Sequence, residues 1–413
     1  MTTKLRTGSP EKVGMLPERV ARVRDLCARW VKEGHTPTLG VCVARRGFVV
    51  LHEAFGVLGP GSDAPPLEPD ALFPIMSITK PITATLIMQL VEDGLLGLNR
   101  PAKDYLPELS GDGIDEVLVH HLLTHTTGYP FTTDPPMMKH AARKKRAGFE
   151  LPPCPDGRHP SIHEWLSLLW DAPRVAGVGE AMIYSTHNYE LLGEIVRRLC
   201  GRSIEQLARE RIFGPLGMRD SYYEVPESEA HHVVQRASGI PFGPEWLPPF
   251  PGGPPLPGPP FEDIGGRRFQ ETPWAGGGLF STPLDMTVFG QMILNGGRYG
   301  DARILSPSAV AAMTRNQIPG VRARLVNYEA AHGSWGYGWT IESPTKWKYF
   351  HGSLQPLGTL SHPGGGGVMF WIDRAHELVG AYFEVCTRLT ENREVVWNFD
   401  LFQNAITAAV EDL

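Results

Sequence analysis

Ser77 and Lys80 stand three residues apart in Ser77-Ile78-Thr79-Lys80, the spacing that puts two side chains on one face of a helix. A serine hydroxyl is a poor nucleophile until a base takes its proton. A lysine on the same face supplies that base when it is neutral, a state favoured by desolvation and by a nearby positive or hydrogen-bonding group. The chemistry implied is attack on an acyl carbon with a covalent serine intermediate. Both residue types are common, so the pair gains weight only from its surroundings. His120, His121 and His125 also lie close together. No His-Glu-x-x-His or matching carboxylate spacing accompanies them, so they read as structural histidines and no metal is expected.

The surroundings are a hairpin and an apolar helix. Val20, Val23, Leu26, Cys27, Trp30 and Val31 recur at helical intervals between Pro17 and Glu33, and Gly34 ends that helix. Two β-branched runs, Gly40 to Ala44 and Phe48 to Leu51, flank Arg45-Arg46-Gly47 and predict two strands with a tight turn. From Ser77 the pattern is helical up to Gly94, and Pro81 requires the helix to begin close to Ser77, because proline is tolerated in a first turn. Helices are expected at Val119 to Leu123, Ser161 to Trp170, Asn188 to Leu199 and Ile204 to Phe213. Between Pro241 and Pro260 ten of twenty residues are proline and four are glycine, which predicts an extended loop, either bordering the site or a surface excursion. Strands are expected at Gly336 to Ile341, Val368 to Ile372 and Leu378 to Phe383, and a helix from Val395 to Val410. The economical assembly is an α/β (α+β) fold: one antiparallel sheet from residues 1–85 and 285–413, backed by terminal helices, with a mainly helical lobe, 86–284, inserted.

The chain of 413 residues is 42% hydrophobic and 20% charged, enough to bury a large core. A net charge of −6 and only one short basic cluster, Arg143 to Arg146, give no footprint for nucleic acid. No run of about 18 apolar residues could span a membrane, and the first residues lack the apolar stretch of a secretory signal. Five cysteines without a Cys-x-x-Cys pair fit a reducing compartment, so cytoplasmic residence is the expectation.

Several segments carry a family resemblance. Phe73 to Lys80, Val91 to Asn99 with Tyr105-Leu106-Pro107, and His121 to Gly128 resemble the class C β-lactamases and the related family VIII carboxylesterases of the penicillin-binding-protein superfamily. The likeness runs from about residue 10 to the C-terminus and includes Trp274 to Thr282 and Gly336 to Trp339. It implies a Tyr-x-Asn motif at Tyr184-Ser185-Thr186, with threonine in place of asparagine. Tyr184 would relay the serine proton with Lys80, or act as base itself if an ammonium lowers its pKa. Thr186 keeps a hydroxyl but lacks the amide that would hold an acylamino arm. The third motif, lysine-led in the lactamases, falls at His362-Pro363-Gly364 before Gly365, Gly366 and Gly367, which points to the esterase branch. The resemblance implies an oxyanion hole from the N–H groups of Gly365 and Ser77, with the register among the glycines open by one residue. The run is also similar to the His-Gly-Gly-Gly loop of α/β-hydrolases, but no Gly-x-Ser-x-Gly occurs and that loop precedes its nucleophile.

The resemblance therefore implies a serine carboxylesterase acting on small ester or acyl substrates through an acyl-enzyme on Ser77, without a cofactor. Acyl transfer to another alcohol or amine uses the same intermediate. A β-lactam or D-Ala-D-Ala substrate is disfavoured by Thr186 and His362, and a silent scaffold by the joint presence of Ser77, Lys80 and Tyr184.

Overall fold

The computed structural model describes residues 3–132, 134–235, 266–325, 328–345, 350–385 and 397–412. The proline-rich stretch from Pro241 to Pro260 lies outside the described residues, as do Val395 and Val396. Both ends of the chain build one seven-stranded sheet. Its strands are β1 (Arg6–Thr7), β2 (Thr38–Arg45), β3 (Phe48–Gly56), β4 (Thr340–Ile341), β5 (Leu360–Gly364), β6 (Val368–Asp373) and β7 (Leu378–Glu384), in the spatial order β1-β3-β2-β7-β6-β5-β4. Neighbours are antiparallel except at one edge, where β1 runs parallel to β3. The β2–β3 hairpin turns through Arg46 and Gly47 at φ 49° and 79°, the left-handed pair that suits the twist of a tight hairpin.

Helices α1 (Pro17–Lys32), α2 (Thr79–Glu92), α3 (Thr186–Cys200), α4 (Pro283–Leu294) and α5 (Trp397–Thr407) complete the frame. Period-two alternation divides the strands' side chains between two cores. Leu39, Val41, Val43, Met369, Trp371 and Tyr382 meet Val20, Val23, Cys27 and Trp30 of α1 and Phe399 and Phe402 of α5. Phe370, Ile372, Val379, Ala381 and Phe383 point the other way, into a core shared with α2, α3 and α4. Because β2, β6 and β7 are covered on both faces, they read as nearly continuous apolar runs rather than strict alternations.

Helix α2 is enclosed on every side: each residue from Thr79 to Leu90 is buried. Its polar members find partners. Thr83 donates to the Ala275 carbonyl, Thr85 to the Pro81 carbonyl, and Gln89 to the carbonyls of Arg211 and Ile304. The expected strand from Gly336 shrinks to Thr340–Ile341. The residues before it turn instead, with Gly336 N–H bonding the Trp339 carbonyl and Gly338 at φ 83°. A methyl group at Gly338 would come 3.1 Å from the Pro81 Cα, so this turn lies directly on the first turn of α2.

The chain ends also meet. Arg45, 1% exposed, donates to the carbonyls of Val13 and Gly14 and to the Asp412 carboxylate, which Arg46 grips as well. Cys27, Cys42, Cys154 and Cys200 are free thiols, and Cys386 lies outside the described residues. Among the described residues no helix is long and apolar enough to cross a membrane.

Candidate active site

Ser77 sits in a 3₁₀ turn, Met76–Ile78, that runs directly into α2. Met76 enters it at φ 50°, a left-handed conformation that costs a residue with a side chain of order 1–3 kcal/mol. Neighbours hold the turn in place. Thr79 Oγ1 donates to the Met76 carbonyl and accepts from Leu279 N–H, while Ile75 N–H bonds the Leu279 carbonyl. Ser77 itself is half-buried.

Lys80 lies behind it, 0% exposed, with Nζ donating to Ser77 Oγ at 3.1 Å and to the Gly276 carbonyl at 2.6 Å. The amine also lies over the rings of Tyr184 at 4.9 Å and Tyr189 at 5.5 Å. Burial lowers its pKa to about 7, against an opposing pull from the Glu190 carboxylate. Near neutral pH a substantial fraction of this lysine is therefore the free amine, the form that can accept a proton.

Tyr184 follows the short strand Ala181–Ile183, which pairs with Arg322–Leu325, and its N–H bonds the Arg324 carbonyl. That anchorage turns its hydroxyl toward Ser77. Its ring packs against His125 at 4.5 Å, Trp335 at 5.8 Å and His362 at 6.2 Å. Burial pushes the phenol above its ordinary value, only partly offset by the Ser77 bond. Of the two roles the sequence left open, a phenolate is the costlier.

Thr186, the first residue of α3, packs on the 274–278 strap: a methyl group at Gly276 would lie 2.6 Å from its Cγ2. An asparagine does occur two residues on. Asn188 is buried, accepts from Thr127 Oγ1 at 3.0 Å and lies 3.4 Å from His125 Nδ1. His362 on β5 is 0% exposed, and its Nδ1 bonds the Pro363 carbonyl at 2.7 Å. Burial and then Lys80 lower its pKa to about 3. The imidazole is therefore neutral near pH 7 and supplies no cation in place of the lactamase lysine.

Gly364 ends β5 against the serine turn, so closely that a methyl group there would lie 2.4 Å from the Ile75 carbonyl oxygen and 2.3 Å from Val368 Cγ2. Gly365 opens the turn that follows, with Gly366 and Gly367 at φ 91° and 112°. The structure thus gathers Ser77, Lys80 and Tyr184 around one hydroxyl. It sets Gly364 and Gly365 beside the Ser77 turn, with Thr186 against Gly276 and His362 packed on Tyr184.

Sequence reasoning missed three participants. Gly276 supplies the carbonyl on Lys80, from a segment read only as part of the family likeness. Glu190 is a carboxylate inside the apolar run Tyr189 to Leu192, and a charge on a buried helical face was the available signal. His125 carries no local signal. It takes φ 57° and stacks on Tyr184 while accepting Ser185 N–H at its Nδ1. Among the described residues no group of three or more histidine, cysteine or acidic side chains is arranged to hold a metal.

A two-sided sheet with a nucleophile turn feeding a buried Ser-x-x-Lys helix defines the fold of the β-lactamase and penicillin-binding-protein serine hydrolases. The chain belongs to the beta-lactamase family, whose profile matches residues 23–401. Protein Rv1367c of Mycobacterium tuberculosis is 29% identical over 348 residues, covering 77% of this chain and 78% of that protein. A penicillin-binding protein homologue from Caulobacter crescentus shares the fold at TM-score 0.71 and 23% identity, covering 96% and 99% of the two chains. A family VIII carboxylesterase does so at TM-score 0.70 and 21% identity, covering 96% and 99%. At such identities the likeness speaks to fold alone, and it is nearly equal for the penicillin-binding protein homologue and the carboxylesterase. Choice among activities therefore falls to the site.

Proposed function

We propose that this protein is a carboxylesterase that turns over small neutral esters through an acyl-enzyme on Ser77. The observation that carries the reading is the fully buried Lys80 amine, 3.1 Å from Ser77 Oγ, with its pKa lowered to about 7. Lys80 takes the serine proton as Oγ attacks the ester carbonyl, and Tyr184, protonated until then, gives its own proton to the departing alcohol while taking the one held on Lys80. The N–H groups of Ser77 and Gly365 receive the negative charge that builds on the carbonyl oxygen. Collapse expels the alcohol, and water then releases the acid by the reverse proton path.

Two replacements favour an ester over a β-lactam. A β-lactam brings a carboxylate and an acylamino arm that need polar partners. Thr186 offers no amide to the arm, and the buried neutral His362 offers no cation to the carboxylate. An unmet polar group in a closed site costs roughly 1–3 kcal/mol, so two such losses lower efficiency by about 10² to 10⁴. The test is kcat/KM for p-nitrophenyl butyrate beside a chromogenic cephalosporin, with Ser77→Ala as the dead control. A cephalosporin value at or above the ester value would overturn the reading. If added butanol diverts most of the acyl group from water, the reaction is transfer rather than hydrolysis.

A further inference from the structure

The acyl-enzyme scheme leaves one buried charge without a part. Glu190 lies on α3 one turn beyond Thr186 and is 3% exposed. Its Oε1 accepts Gly276 N–H at 2.9 Å and its Oε2 accepts Ala275 N–H at 3.1 Å. The peptide unit joining Ala275 to Gly276 is held from its other end too, where Thr83 Oγ1 donates to the Ala275 carbonyl at 2.6 Å. Thr83 is in turn 2.9 Å from the Tyr223 hydroxyl. A carboxylate on α3 and a hydroxyl on α2 thus clamp one peptide, and the next carbonyl along, that of Gly276, is the one Lys80 bonds at 2.6 Å.

Resting on the reading of Lys80 as base, we propose that Glu190 is a positioning residue for it: Glu190 fixes the strap whose Gly276 carbonyl aims the amine at Ser77, and its negative charge counterbalances the ammonium form. The groups facing Lys80 leave that task to Glu190. Tyr184 and Tyr189 are held protonated by burial, His125 and His362 are held neutral, and the carboxylate acting on Lys80 is Glu190. Burial raises Glu190 to about 7 even though its two backbone donors and Lys80 pull the other way. Two accepted N–H bonds suit the ionised carboxylate. The pair therefore titrates as a unit, each member's proton depending on the other's.

The sign of the effect follows. The carboxylate favours the Lys80 ammonium, so Glu190→Gln should let the amine lose its proton at lower pH. The acid limb of kcat/KM should then move down by about one pH unit. The plateau should fall by about tenfold or more through kcat, since the amine is less basic and the glutamine NH₂ cannot accept a backbone N–H. An acid limb that moves to higher pH would mean that Glu190 only braces the strap.

The second arm reads Lys80 directly, by NMR of the Lys80 amine in ¹⁵N-lysine-labelled Ser77→Ala protein with and without Glu190→Gln. A shift there with no matching shift in the rate profile keeps the Glu190 assignment and removes Lys80 as the base. No shift in either overturns the assignment. Should the glutamine variant fail to fold, Glu190 can be followed by ¹³C-carboxyl NMR in the otherwise unaltered protein. A shared inflection with the Lys80 amine supports the pairing, and an independent Glu190 titration near the ordinary carboxylate value refutes it.

Discussion

With the Lys80 amine lowered to about 7 by burial, kcat/KM for a p-nitrophenyl ester should climb about tenfold per pH unit below that value and level off above it. The sign is set by the base being the unprotonated form. Initial rates from pH 5 to 9 with a slowly hydrolysing ester measure it, and a profile flat from 5 to 7 would remove Lys80 from the proton transfer. At this scale the sequence was a good guide where chemistry is local. Ser77 and Lys80 share a turn, so their spacing, taken with the apolar helix around it, announced the contact. Tyr184 needed the resemblance, because nothing in Tyr184-Ser185-Thr186 says which distant residue it will face. Glu190, His125 and Gly276 escaped because each reaches the site through a tertiary contact far along the chain: the Ser185 bond to His125 spans 60 positions, the Ala275 bond to Glu190 85 and the Gly276 bond to Lys80 196.

The elements hold these side chains by close backbone approach, which makes the junction of β5 with the serine turn the tightest constraint. A methyl group at Gly364 would press on both the Ile75 carbonyl and Val368. Gly364→Ala should therefore push β5 and the following Gly365 away from Ser77, at a cost of about 1–3 kcal/mol in stability from overpacking. Because an N–H misplaced by a fraction of an ångström stabilises an oxyanion poorly, kcat should fall by about 10²-fold with KM little changed. Urea unfolding and steady-state kinetics together check this, and a destabilised variant with unaltered kcat would move the oxyanion site elsewhere. Strands and helices with sustained periodicity were legible: β2, β3, β6, β7 and α1 lie where their patterns put them. The Gly336 segment was not. Its apolar residues suit a strand, yet close contact with α2 demands the left-handed Gly338, and contact with an element more than 250 positions away leaves no trace in the local pattern.

At the level of the whole molecule, Arg45 ties Val13, Gly14 and Asp412 together across 367 positions, and the sheet shows the same closure. Strand β7 lies between β2 and β6, so β2 cannot be paired on its second edge until residues 378–384 exist. This order has a consequence for biogenesis. On a ribosome adding about 5–20 residues per second, the apolar edge of β2 stays open for roughly 20 to 70 seconds after it emerges. An unpaired apolar edge is a template for other chains, so the interval favours association between nascent chains over completion of the sheet. A chain ending at residue 377 should aggregate during dilution from urea, whereas the whole chain should recover in a yield that falls as its concentration rises. Light scattering and recovered turnover of a p-nitrophenyl ester across a concentration series distinguish the two, and a truncated chain that stays monomeric with slowly exchanging β2 amides would show that the edge is shielded by other means.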